Sequence, residues 1–300
     1  MNVNENFAAH TPGSNLSSAV GGVVTIIGTG LIGGSFGLIL KDKGLASHVI
    51  AVDNKPENQQ KALELGIADE ALPLEEAVKK SDLIVLAVPV DALYSLLPRI
   101  LDEVENQVVV DMGSTKEGVI AAVANHPKRG RFVATHPMWG TEYSGPEAAV
   151  KTAFENKTTV ICDSENVDED ALEMIEKIYK AMRMHLIYMD AAAHDLHAAY
   201  VSHISHITSF ALANTVLEKE KEDEAVFELA SGGFESTVRL AKSNPSMWVP
   251  IFKQNRENVL DVLNEHITQL KKFKSCLEKE NYEYLHELIE NANEIRRILK

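Results

Sequence analysis

Cysteine is nearly missing from this chain, with Cys162 and Cys276 the only two in 300 residues. Two cysteines predict neither a disulfide framework nor a cysteine-rich metal site. Positive charge is also short: 29 Lys and Arg stand against 44 Asp and Glu, a formal net charge of -15. That balance argues against nonspecific binding to nucleic acid or to an anionic membrane, so an anionic substrate has to be captured by a few local basic residues. No basic-then-apolar leader opens the chain, which predicts a cytoplasmic protein. Between Glu5 and Lys41 charge is absent altogether. The stretch Val20 to Leu40 has the length of a membrane helix, but seven of its 21 residues are glycine. No basic cluster flanks its N-terminal side and no second span follows, so no membrane partner is expected.

What is present is enough apolar material, 45% of residues, to fill a core in each of two domains of ordinary size. Residues 1–20, rich in Asn, Ser and Ala, read as a loose tail. Residues 22–53 then give an apolar run, a glycine-rich break, an apolar run of helical length and a strand-like run ending in Asp53. Gly28, Gly30 and Gly33 fit G-x-G-x-x-G directly after the first strand, and the helix start at Leu31 and Ile32 offers free N–H groups to a pyrophosphate. Asp53 lies about 20 residues past the loop, where a carboxylate hydrogen-bonds the adenosine ribose of NAD.

Further along, Pro56 opens a helix stopped by Gly66, and another spans Leu74 to Lys80. Asp82 to Pro89 and Gln107 to Asp111 read as strands covered on both faces, each followed by a helix: Asp91 to Leu101, then Thr115 to Asn125. The alternation predicts an α/β fold with a doubly wound parallel sheet of Rossmann type, whose ligands sit at the strand carboxyl ends. Val88-Pro89 and the turn Asp111-Met112-Gly113-Ser114-Thr115-Lys116 fall there. Phe132 to His136 is a short strand running into a polar loop with Thr141, Glu142 and Ser144. A histidine at that strand end stands where an acid-base group for hydride chemistry belongs. Strands Thr158 to Cys162 and His185 to Met189, separated by a helix from Val167 to Met182, complete a dinucleotide-binding domain over residues 21–189.

From residue 190 to 300 the pattern is helical: a long helix through Ala198, Ile207 and Leu217, a charged turn at 218–224, Ser236 as N-cap for Thr237 to Lys242, a segment from Pro250 to Glu278, and a last helix from Tyr282 to Leu299. The stripe Val259, Leu263, Ile267, Leu270, Phe273 and Leu277 exceeds what one small helical layer covers, which predicts a homodimer through this domain. His194, His197, His203 and His206 lie at helical spacing. No nearby carboxylate completes a ligand set, so no metal is expected.

The loop GTGLIGGS, the turn DMGSTK and the segment HPMWGTEYSGPEAA together resemble the prephenate and arogenate dehydrogenases of tyrosine biosynthesis. His194-Asp195 leading to His203 and His206 is similar to that family's second histidine motif, with Ile204-Ser205 where Leu-Pro usually stands. Gly232-Gly233-Phe234, Thr237, Arg239, Asn244-Pro245 and Met247-Trp248 resemble its substrate-arginine segment.

The resemblance implies NAD-dependent oxidation of a cyclohexadienol with loss of carbon dioxide, giving 4-hydroxyphenylpyruvate from prephenate or tyrosine from arogenate. On that reading His136 takes the hydroxyl proton, Ser114 orients the histidine or the hydroxyl, Arg239 holds a substrate carboxylate, and His206, Gly232, Trp248, Thr141 and Glu142 line the substrate pocket. The resemblance likewise implies a homodimer and no metal. Glu235-Ser236 departs from the basic-acidic pair common in the family, and Trp139 stands where a small residue is usual. A noncatalytic NAD-sensing regulator would keep Gly28 to Gly33 and Asp53 but have no need of His136 and Arg239; the motifs after residue 130 disfavour it and also a different two-domain hydroxy-acid dehydrogenase with a helical second domain.

Overall fold

The structure, a computed structural model, describes residues 22–221 and 228–298. The expected tail at 1–20, part of the charged turn at 222–224, and Leu299 lie outside the described residues. The chain divides into two compact units. One runs to His194 and takes in Ser243–Ile251, and the other comprises Asp195–Lys242 and the chain from Phe252 onward.

The first unit alternates strand and helix: β1 (Val23–Ile27), α1 (Leu31–Asp42), β2 (His48–Val52), α2 (Pro56–Glu64), β3 (Glu70–Ala71), α3 (Leu74–Lys80), β4 (Leu83–Leu86), α4 (Val90–Glu103), β5 (Val108–Asp111), α5 (Glu117–Ala121) and β6 (Phe132–Pro137). β7 (Thr158–Cys162), α6 (Glu169–Ala181) and β8 (His185–Met189) follow. The strands form one sheet in the order β3-β2-β1-β4-β5-β6-β7-β8. The order turns back between β1 and β4, which opens a crevice at their carboxyl ends.

All pairs but one are parallel, and the exception is β6 with β7. A parallel return needs a long crossover, usually a helix. Residues 138–157 supply only a loop and a short 3₁₀ turn at Pro146–Ala148, so β7 comes back alongside β6 in the opposite sense. Beneath the sheet Phe36 meets Phe154 and Tyr179 edge-on, and Trp139 meets Phe154 in the same way.

Two local expectations for this part change. β3 is a two-residue strand with no sequence signal of its own. The helix expected over Thr115 to Asn125 is only Glu117–Ala121. Its start is delayed because Lys116 turns inward to Asp111, and Pro127 disfavours helical backbone at His126.

The helical part begins with α7 (Ala191–Ala198), continues through a π-helical turn (Ala199–His203) into α8 (Ile204–Glu220), and then has α9 (Gly232–Val238), a 3₁₀ turn (Arg239–Lys242), α10 (Pro245–Gln254), α11 (Arg256–Glu278), α12 (Tyr282–Asn293) and a 3₁₀ turn (Glu294–Arg297). The long helix expected through residue 217 therefore contains a π turn. Asn255 braces it, its Nδ2 donating to the Asp195 carbonyl at 2.6 Å and to His203 Nδ1 at 3.1 Å. The small core of the second unit is Ala199, Val259 and Val262, with Ile204, Ile207 and Phe252 against it.

Three more expectations give way here. Ser236 is not an N-cap: α9 starts at Gly232 behind Ser231, and the Ser236 hydroxyl donates back to the Gly233 carbonyl. Pro250 does not start the long segment but sits inside α10, and the break comes at Asn255, which precedes α11. The last helix ends at Asn293 and tightens into a 3₁₀ turn. Proline fits the first turn of a helix or, at a cost, its interior; an internal proline alone does not mark a start.

Candidate active site

Each glycine of the first turn has its own steric reason. Gly28 has φ of +91°, and a Cβ there would stand 2.5 Å from the Ala87 carbonyl oxygen. A Cβ on Gly33 would collide with the Gly28 carbonyl oxygen. At Gly30 a Cβ would meet no protein atom within 4 Å, so what this glycine keeps clear is space outside the backbone. Gly30 is also the N-cap of α1, which has no side-chain cap and no acidic residue in its first turn. Ile32 packs its side chain onto the core, leaving its backbone as the part available near the helix start. A helix N-terminus left open in this way is fitted to an anion.

Asp53, at the end of β2, ties that turn to the next helix. Its Oδ2 accepts from the Thr29 N–H at 2.9 Å and the Thr29 hydroxyl at 3.2 Å, while its Oδ1 accepts from the Lys55 N–H at 3.0 Å and Asn58 Nδ2 at 3.2 Å. Val88 is half-buried beyond β4, and Pro89 is the exposed N-cap of α4.

Ser114 is half-buried in the turn after β5. That turn is folded around Asp111, whose Oδ2 accepts from the Gly113 N–H at 2.8 Å and from the Lys116 ammonium. His136, 8% exposed on β6, faces a partner the sequence reading did not assign to it. Its Nδ1 lies 2.8 Å from Nε2 of His194 on α7, itself 2% exposed. Helical spacing raised a metal ligand or a neutral hydrogen-bonding histidine among His194, His197, His203 and His206, but nothing in the sequence marks which strand a helix histidine will face. Among the described residues no group of three or more His, Cys, Asp or Glu side chains is arranged to hold a metal ion.

In the loop beyond β6, Met138 N–H donates to the Thr158 carbonyl and the Thr141 hydroxyl accepts from Tyr143 N–H at 3.3 Å. Thr141 and Glu142 are half-buried. Trp139 turns its indole toward Phe154 and the core. Trp248, on α10, is buried and groups with this same sheet unit.

The second unit brings together a different set. His206 Nδ1–H donates to the Ser202 carbonyl at 3.1 Å, which leaves Nε2 as the ring's acceptor. Burial, reinforced by the charge of Arg239, holds this imidazole below the ordinary histidine range, against the opposing effect of the Ser202 bond. Gly232 opens α9 with open space where a Cβ would be, and that helix leads into Arg239. Arg239 is exposed in the single chain, not buried as a pocket arginine would be expected to be. Glu235 lies in the first turn of α9 and is exposed. His203 is fully buried and held by Asn255, as expected of a packing residue.

Residues 36–188 match the family described as prephenate dehydrogenase, nucleotide-binding domain, and residues 190–291 match prephenate dehydrogenase, dimerization domain. The glycine turn lies just ahead of the first match and rests on its own geometry. The prephenate dehydrogenase of Bacillus subtilis is 31% identical over 277 residues, covering 91% of this chain and 75% of that protein. The cyclohexadienyl dehydrogenase of Zymomonas mobilis is 27% identical over 280 residues, covering 92% of this chain and 96% of that one. Among solved structures, prephenate dehydrogenase from A. aeolicus in complex with hydroxyphenyl propionate and NAD+ superposes with a TM-score of 0.85 at 29% identity, covering 93% of this chain and 98% of that one. No helix among the described residues is long and apolar enough to cross a membrane. With both halves matched in order on a Rossmann-type sheet and a helical unit, the chain belongs to the prephenate dehydrogenase family of oxidoreductases.

Proposed function

We propose that the chain oxidises prephenate to 4-hydroxyphenylpyruvate and carbon dioxide with NAD, and that His136 is the base. The observation that carries this reading is the His136–His194 contact at a strand carboxyl end of the nucleotide-binding sheet. Only one hydrogen fits between Nδ1 and Nε2. When His136 Nδ1 donates it, His136 Nε2 presents a lone pair and can take the ring hydroxyl proton. His194 then accepts the Nδ1 hydrogen throughout, which fixes the ring and steadies the cation formed.

The glycine turn would hold the pyrophosphate on the open start of α1 at Gly30, Leu31 and Ile32. Asp53 would hold the adenosine ribose and repel a 2′-phosphate, favouring NAD over NADP. Val88 and Pro89 would border the cofactor. The cofactor held there would supply the acceptor for the hydride on the ring carbon bearing the hydroxyl. Loss of the ring carboxylate as carbon dioxide then restores aromaticity. Ser114 would orient the hydroxyl or His136, and Arg239 would grip a carboxylate by its planar fork. On the helical unit His206, neutral and accepting at Nε2, would receive a hydrogen bond from substrate and Gly232 would be a substrate contact; on the sheet unit Thr141, Glu142 and Trp248 would be.

The helical unit would pair with a second copy. Its exposed Ile267, Leu270, Leu277 and Ile289 support that reading, as does the family's dimerization domain. Cys162 and Cys276, both buried and neither in a disulfide, agree with a cytoplasmic location.

The test is NADH formation with prephenate and with arogenate, each with and without tyrosine. Prephenate is expected to be the better substrate, and turnover with neither would overturn the assignment. Arg239→Gln should raise KM for prephenate roughly 10- to 100-fold, the loss expected of charge-assisted hydrogen bonds, and leave NAD binding unchanged.

A further inference from the structure

β6 runs farther than the strand beside it. The register pairs Val109 with Phe132, Val110 with Val133 and Asp111 with Ala134, where β5 stops. β6 goes on through Thr135 to His136 and Pro137. On the β7 side these residues have ladder partners. On the β5 side the ladder ends at that pair, and the Asp111 side chain takes its place: Oδ1 accepts the Thr135 N–H at 3.1 Å. The Thr135 hydroxyl donates to the Asp111 carbonyl at 2.6 Å and lies 2.6 Å from the Tyr179 hydroxyl. The strand end that carries His136 is therefore held from the β5 side by the Asp111 carboxylate and carbonyl.

The same carboxylate shapes the turn that carries Ser114. Its Oδ2 accepts the Gly113 N–H and pairs with the Lys116 ammonium, closing residues 111–116 around Ser114. Both side chains of the pair are 0% exposed. Stability alone explains such a pair poorly, because burying two charges costs much of what their attraction returns and apolar replacements of like volume often do as well. What apolar residues could not do is accept the Thr135 and Gly113 N–H groups with one carboxylate.

We propose that Asp111 and Lys116 are positioning residues for the reaction. Asp111 sets the distance between the His136 strand end and the Ser114 turn, and Lys116 holds that buried carboxylate in place. The proposal rests on the reading of His136 as base. The bonds of Asp111 run to Thr135, Gly113 and Lys116, at the His136 strand end and the Ser114 turn, so their effect should fall on turnover and not on NAD affinity.

The test compares His136→Asn, the double variant Asp111→Asn/Lys116→Met, and Asp111→Glu. The double variant removes both charges at nearly constant volume. Asp111→Glu keeps the pair but moves the carboxylate by one methylene. Each of these two should keep a melting temperature and an NAD dissociation constant close to those of the unmodified enzyme, while kcat with prephenate falls at least tenfold and KM changes little. Unaltered kcat in either folded variant would overturn the proposal, and so would loss of the fold in both, which would assign the pair to the core. If His136→Asn keeps its turnover, the base assignment itself has failed, whatever the pair does.

Discussion

In the sheet unit every residue of β4 and β5 is buried, whereas α12 of the helical unit has no buried residue and α11 buries only Val259, Val262 and Cys276 of its 23. The centre of the sheet is a finished core, since strands covered on both faces need nothing outside their own unit, whereas the edge strand β8 is largely exposed. The helical unit is amphipathic material with its apolar side open, with Leu270 55% and Leu277 59% exposed. Buried polarity divides the same way. The sheet unit encloses Asp111, Lys116, His136 and His194, while in the helical unit polar burial is concentrated on the brace of His203 and Asn255. One unit is built to fix reacting groups, and the other to be completed by contact.

The contrast can be broken most severely at His136. His136→Asn should lower kcat by about 10² to 10⁴, the usual contribution of a positioned base, with NAD affinity unchanged in a binding titration. The glycine turn sharpens the claim that the sheet unit has no slack. Gly33→Ala drives a methyl into the Gly28 carbonyl and should lower the melting temperature by several degrees, as ~1–3 kcal/mol of overpacking does. Gly30→Ala meets only open space, so it should leave the melting temperature alone and weaken NAD binding. Equal effects from the two would mean that Gly30 guards no phosphate. On the other unit, Leu270→Asp should shift sedimentation from dimer toward monomer by weakening association roughly 10- to 100-fold, the scale of one lost interface anchor. Unchanged sedimentation would place the interface elsewhere.

The smallest effect is one of pH. His206 has its folded-state pKa lowered, chiefly by burial, so the unfolded chain binds a proton more readily than the native one. Its contribution to stability is fully present above the ordinary histidine value and is lost as pH falls through the folded value. His206→Gln should therefore lose less stability than the unmodified protein when denaturant melts are compared between neutral and mildly acidic pH.

The sheet was legible because its strands are uninterrupted aliphatic runs with a helix behind most of them, and LIVL and VVVD admit little else. The glycine turn and Asp53 were legible because each position has a steric or acceptor requirement that few residue types meet. The reversal at β7 was not: a run such as TTVIC is the same string whichever way it points, and only the shortness of its connection decides. His194 and Lys116 escaped for a related reason. A histidine among four on a helix, or a lysine after a strand, carries no mark of burial, and both acquire their partners only when β5, β6 and α7 come together. Ser236 and Pro250 misled because cap-like residues are also tolerated inside helices when packing favours it.

Asp53 has its four acceptor positions in use, two by Thr29 and one each by Lys55 and Asn58. A ribose hydroxyl cannot simply be added to that carboxylate; it has to displace a donor. Such an exchange of like for like releases little heat, so calorimetry of adenosine fragments should show Asp53 mainly as a discriminator against a phosphate and hardly as a source of enthalpy. The displaced donor should also announce the event. Hydrogen exchange at the Lys55 amide, or a change at the Asn58 side chain in nuclear magnetic resonance, would then report occupancy of the nucleotide site from a strand end remote from the chemistry.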